Sequence, residues 1–118
     1  MAIIDVTRLE AKPREHSDNK QIVRRDDLKI SLVSVRPGEE IPVHLHEGEE
    51  QFYYVLEGEG LLSLGDEVYQ LHPGIAVVIP PQLPHGVQNP NATPLRYLDF
   101  LWPEALDLCP TPGPGERR

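Results

Sequence analysis

Cysteine is almost absent from this chain: Cys109 is the only one among 118 residues. No intrachain disulfide can form, and a thiol in a proline-rich stretch without a base beside it has none of the marks of a nucleophile. Positive charge is also scarce, with 11 Lys and Arg against 19 Asp and Glu and a formal net charge of -8. Nucleic acid and anionic membrane both demand a basic footprint, and the one compact basic pair, Arg24-Arg25, is followed at once by Asp26-Asp27. Neither partner is expected. Apolar runs such as Ile75 to Ile79 are far too short to span a bilayer. The opening Met1-Ala2-Ile3-Ile4-Asp5 lacks the regions of a signal peptide, so a cytoplasmic location is expected.

Helix-forming windows are missing as well. Thirteen prolines are spread along the chain and would break any long helical pattern, leaving only Thr7 to Glu15 and Pro103 to Leu108 able to hold a helical turn. What is present instead is a succession of short β-prone runs: Lys29 to Arg36, Val43 to His46, Gln51 to Leu56, Gly60 to Leu64, Glu67 to Leu71, Ile75 to Ile79, Gly86 to Gln88 and Leu95 to Leu101. Breakers such as Pro37-Gly38, Glu57-Gly58, Gly65-Asp66, Pro73-Gly74 and Asn89-Pro90-Asn91 separate them. This punctuation predicts an all-β sandwich or barrel with little helix. The length suits one domain, taken as residues 1–108, followed by a flexible Pro/Gly-rich tail over 109–118.

Chemistry concentrates in three histidines. His44 and His46 are one residue apart at the end of a strand-like run, so alternation points both imidazoles the same way, and His85 sits on a later run of the same barrel. Three neutral imidazoles converging on one point make a metal site. His16 and His72 lie among charged or proline-rich neighbours and read as surface residues.

Spacing around these histidines resembles the cupins, small double-stranded β-helix (jelly-roll) domains. One stretch runs Gly38, five residues, His44-Leu45-His46, four residues, Gln51, six residues, Gly58. A second runs Gly74, five residues, Pro80-Pro81-Gln82, two residues, His85, three residues, Asn89. These correspond to the two cupin motifs, in the right order. The resemblance implies a cupin barrel with a metal held by His44, His46, Gln51 and His85. Two positions depart from the family pattern: Gln51 stands where a glutamate is usual, and Gln82 where a glycine is usual. Glu50 is the alternative fourth ligand. Strand alternation sends Glu50 and Gln51 to opposite faces, and only Gln51 keeps the six-residue gap to Gly58.

A shell of three imidazoles and an amide oxygen is neutral, so a divalent ion would keep its full charge and strongly polarise an oxygen of an anionic ligand. Nitrogen and oxygen donors without thiolate suit Zn, Ni, Mn, Co or Fe(II). A metal-free or sugar-binding pocket is the opposing reading, against which stands the cost of burying three unpaired imidazoles.

In the last β-prone run, Tyr97, Asp99 and Leu101 share one face, and a carboxylate amid so apolar a run is costly unless it serves a purpose or is paired, for example with an arginine. The ligand set and the late Leu-Asp run are similar in part to the pectin-degradation cupins that linearise unsaturated uronates, which maps a catalytic role onto Asp99. Leu101 and Ala105 depart from that subfamily's phenylalanine and arginine. The expected function is metal-dependent isomerisation, ring opening or elimination of a small polar, anionic, sugar-acid-like substrate, with Asp99 or Tyr53 moving a proton. Alternatives are a non-haem Fe(II) dioxygenase and a non-catalytic small-molecule or sugar-binding module. A homodimer is expected, with Ala2 to Val6 adding a strand to a neighbour's sheet edge.

Overall fold

The β-prone runs fold into two antiparallel sheets in the structure, a computed structural model that describes residues 2–104. In chain order the strands are β1 (Lys12–Pro13), β2 (Asp18–Arg25), β3 (Leu28–Val35), β4 (Glu40–His44), β5 (Glu49–Glu57), β6 (Gly60–Leu64), β7 (Glu67–Leu71), β8 (Ala76–Ile79), β9 (His85–Gln88) and β10 (Leu95–Pro103). One sheet has the order β1-β2-β3-β10-β5-β8 and the other β4-β9-β6-β7. From β3 onward the chain passes repeatedly from one sheet to the other, which is the winding of a double-stranded β-helix. The all-β expectation holds. The proposed tail over 109–118 lies outside the described residues.

Two parts of the N-terminal third depart from the sequence reading. Thr7 to Glu15 holds no helix: Asp5 accepts from the backbone N–H of Thr7 at 3.0 Å and of Arg8 at 3.1 Å, which turns the chain before β1. β2 has no apolar alternation in Asp18–Arg25, and it forms because its backbone pairs with β3 from Asp18↔Ser34 to Arg25↔Leu28. Ladder hydrogen bonds, rather than burial of its own side chains, hold it.

Inward-facing residues of both sheets build the core. In β5, Gln51, Tyr53 and Val55 point inward while Phe52 and Tyr54 face out, as period-two alternation requires. Val35, Val55, Leu62, Leu71, Val87 and Leu95 are almost wholly buried and belong to one apolar cluster. Truncating one of the leucines to alanine would cost about 2–5 kcal/mol. The pairing Leu95↔Val35 marks an apolar part of the β10 ladder, while Asp99↔Tyr53 and Leu101↔Gln51 bring in polar groups further along it.

Gly58 and Asn89 explain why the spaced motifs end as they do. Gly58 has φ +82°, and a Cβ there would lie 2.1 Å from the Pro94 carbonyl oxygen, so only glycine fits. Asn89 is buried and donates through Nδ2 to the carbonyls of Val35 at 2.9 Å and Thr93 at 2.8 Å. Its own carbonyl accepts from the Gly38 N–H at 2.8 Å, tying the start of the first motif to the end of the second.

Candidate metal centre

His44 and His85 are cross-strand partners in the β4–β9 ladder, which places their imidazoles side by side with ring centroids 4.4 Å apart. His46 follows β4 in the connection to β5, with its ring 5.1 Å from His44 and 5.5 Å from His85. One potential ligand nitrogen from each of the three lies within 4.8 Å of the others. These three residues could hold a metal ion, as their spacing predicts.

Hydrogen bonding fixes which nitrogen each ring offers. The Pro42 carbonyl lies 2.8 Å from His44 Nδ1 and the Leu83 carbonyl 2.9 Å from His85 Nδ1, so both Nδ1 atoms carry the proton and both Nε2 lone pairs are free. Glu49 stands 3.9 Å from His46 Nδ1 and plays the corresponding part there. His46 Nε2, His85 Nε2 and Gln51 Oε1 are buried without a hydrogen-bond partner among the described residues. Buried acceptors left bare are expensive in an empty pocket and suited to a cation. Burial, reinforced by the charge of His44, holds the His46 pKa below the ordinary histidine value, and burial lowers that of His85. Both rings therefore stay neutral, the form that binds metal.

The facing wall of the same cavity comes from the six-stranded sheet. Gln51, Tyr53, Tyr97 and Asp99 line it together with His44 and His46, in a space of about 310 Å³. Glu50 pairs with Trp102 on the ladder and does not line the cavity, so the register turns Gln51 and not Glu50 inward. Gln51 Nε2 donates to both oxygens of Asp99, at 3.1 and 3.3 Å. Asp99 sits on the central strand β10, and its partner is this amide rather than an arginine. Its carboxyl pKa is pushed up to about 6 by burial, against which the Gln51 hydrogen bond works. Tyr53 and Tyr97 stack with ring centroids 4.5 Å apart, and burial followed by the charge of Asp99 raises the Tyr53 phenol well above its ordinary value.

The family model described as "Cupin domain" matches residues 31–101, more than half of the chain. The chain belongs to the cupin family. Among solved cupin-like structures, TT1209 from Thermus thermophilus superposes with a TM-score of 0.80 at 35% identity, covering 87% of this chain and 98% of that one. The uncharacterized protein MJ1618 of Methanocaldococcus jannaschii is 36% identical over 79 residues, 67% of this chain and 62% of its own length. The chain thus spans less than two thirds of that curated relative. A third similar protein, the oxalate-binding protein of Thermotoga maritima, is 25% identical over 86 residues, 73% of this chain and 71% of that one.

Four residues of this cupin's cavity were not legible as site residues. Arg14, Glu15, His16 and Ser17, from the turn between β1 and β2, reach the cavity that the histidines line. His16 is exposed, as its neighbours suggest, yet it stands at the mouth. Only the pairing of β2 onto β3 brings that turn there, and β2 carries no apolar pattern from which to infer it. Of the positions that differ from the pectin-degradation cupins, Leu101 lines the cavity and Ala105 lies outside the described residues. No helix among the described residues is long and apolar enough to cross a membrane.

Proposed function

We propose that this cupin is a metal-dependent enzyme for a small, anionic, sugar-acid-like substrate, with His44, His46, His85 and Gln51 as metal ligands and Asp99 as the proton-moving group. The observation that carries this reading is the set of bare buried acceptors, His46 Nε2, His85 Nε2 and Gln51 Oε1, in the cavity that Asp99 also lines. A divalent ion such as Zn, Ni, Mn, Co or Fe(II), when bound, supplies Lewis acidity that polarises a carbonyl or hydroxyl oxygen. The remaining work falls to the protein. Gln51 joins the two halves of the site, offering its oxygen to the histidine side while its Nε2 steadies Asp99. Asp99, with a pKa near 6, can take a proton from a substrate C–H or O–H and return it to a neighbouring atom, the exchange that isomerisation, ring opening and elimination share. Tyr53 keeps its proton at neutral pH because burial raises its pKa, which suits it to donate a hydrogen bond rather than to act as a base.

A second reading, a non-catalytic binder of small acids, has specific support in the similarity to the oxalate-binding protein of Thermotoga maritima. One pair of measurements separates the two. Metal analysis of the purified protein should show one divalent ion per chain, and Asp99→Asn should abolish turnover of an unsaturated or keto uronate while the metal is retained. Metal-free protein, indifferent to chelators, defeats the Lewis-acid reading, and ligand binding unaffected by Asp99→Asn without turnover in the wild type leaves the binder.

Self-association into a homodimer belongs to the same proposal. The outward face of the six-stranded sheet exposes Tyr54 at 40% and Val78 at 52%, and Ile3 in the N-terminal segment is 95% exposed. A second copy would cover such apolar surface. Sedimentation equilibrium should give twice the chain mass of 13.3 kDa. A cytoplasmic location is proposed from the single cysteine.

A further inference from the structure

The turn between β1 and β2 is held over the cavity mouth by a single residue just past the end of β3. Arg36 donates through Nη1 to Asp18 Oδ1 at 2.6 Å and through Nη2 to the carbonyls of Arg14 at 3.4 Å and Glu15 at 3.3 Å. The turn closes on itself through the Arg14 N–H to the Ser17 carbonyl at 2.8 Å, and Ser17 Oγ donates to Asn19 Oδ1 at 2.6 Å. A rim pinned in this way presents its side chains in a preset arrangement.

Two of those side chains are basic, in a chain of formal net charge -8. His16 is engaged by Glu15, whose carboxylate lies 3.7 Å from its Nε2. Arg14 is different. It lines the cavity, and among the described residues its guanidinium has neither an ion-pair nor a hydrogen-bond partner. An overall negative field repels anions, so a lone guanidinium at the mouth of the cavity marks the one place on that rim where an acid group would be met by a fixed, planar, bidentate donor.

We propose that Arg14 is a specificity-determining residue that clamps a carboxylate of the ligand at the rim, so the ligand is a small acid spanning from the histidine cluster to the β1–β2 turn. The proposal rests on the functional reading above for its inner anchor. A cavity of about 310 Å³ is at the small end of the range for ligand sites, which limits the ligand to the size of a monosaccharide acid or a short dicarboxylate. Arg36 acts through the turn as a positioning residue.

The test uses the full-length protein loaded with Zn(II), titrated calorimetrically with D-galacturonate, succinate and oxalate, and with D-galactose as the neutral match of the first. Zinc content is measured on each sample. The wild type should bind at least one acid, and Arg14→Gln should weaken that acid by about ten- to a hundredfold, the worth of one charge-assisted hydrogen-bonded pair, with galactose unaffected. Arg14→Lys should recover part of the loss, and raising the salt concentration should weaken the wild type more than Arg14→Gln. Equal affinity of wild type and Arg14→Gln for all three acids, including no binding by either, overturns the clamp. Absence of zinc from the wild type overturns the functional reading instead, and the acid affinities of the same samples still decide the clamp.

Discussion

Gln51 and Asp99 are joined across the β5–β10 ladder by an amide that donates to both carboxylate oxygens, at 3.1 and 3.3 Å. Because the amide nitrogen is committed to Asp99, the amide oxygen is left bare. The negative charge that a glutamate at position 51 would carry has been moved one hydrogen bond further from the histidines, onto a group that can pick up a proton. Metal binding and acid-base chemistry are thereby separated onto two side chains that stay mechanically coupled.

Replacing Gln51 by glutamate reverses that separation. Two carboxylates would face each other where an amide and a carboxylate now hydrogen-bond, and like charges at such a distance in a partly buried site repel. The chelated Gln51→Glu protein should be about 1–3 kcal/mol less stable than chelated wild type near neutral pH. Added Zn(II) should close most of that gap. Denaturant titrations with and without chelator measure both quantities, and an unchanged chelated stability would show that the amide contact contributes nothing.

Asp99 also sets a pH dependence in the chelated protein. Its folded value of about 6 lies above the ordinary value of 3.8, so between the two the folded state keeps a proton that the unfolded chain has released. The corresponding stabilisation is fully present below the unfolded value and is lost as pH rises through about 6, amounting to at most about 3 kcal/mol. His46 and His85, with lowered values, act in the opposite direction, losing stability as pH falls from the ordinary histidine value of 6.5. Subtraction isolates the carboxyl: the stability of Asp99→Asn minus that of wild type should rise from about pH 4 to about pH 7. A flat difference would mean that Asp99 ionises without penalty.

His85 should matter more to the metal than to the fold. It is 1% exposed and its Nε2 has no partner, so truncation removes a buried acceptor that only a ligand could satisfy. In the wild type, metal at a thousandfold its dissociation constant should add about 4 kcal/mol of stability. That increment should collapse in His85→Ala, with zinc content falling below one per chain. A retained increment would move the metal away from these histidines.

How much of this site could be read in the chain follows from how each residue reaches it. His44, His46, Gln51 and His85 sit on strands whose spacing and alternation are local, so one sequence face projects onto one cavity wall. Asp99 was visible as a charge amid an apolar run, whereas its partner was not, because the Gln51 contact crosses 48 positions of chain. Arg14 and His16 were invisible for a different reason. Their turn is carried by β2, a strand held by its ladder to β3, and hydrophobic patterning says nothing about a strand that buries so little. Asn89 matched its motif position, and its role is structural, joining Val35 to Thr93.

Gln82 shows what a departure from a family glycine costs. It adopts φ +66°, the only positive φ of a non-glycine among the described residues, and its N–H donates to the His46 carbonyl at 2.8 Å. The left-handed conformation costs a residue with a Cβ about 1–2 kcal/mol, and it persists here because the hydrogen bond ties the turn before His85 to the backbone of His46. Gln82→Gly relieves the strain and keeps the N–H, while glycine's greater freedom in the unfolded chain takes back part of the gain. The variant should be more stable by about 0.5–1 kcal/mol, with metal affinity unchanged because the backbone contact to His46 survives. Gln82→Pro removes the donor and cannot reach a positive φ, so it should lose both stability and metal. Equal stability and metal affinity in glycine, proline and wild-type proteins would show that this turn does not position His46.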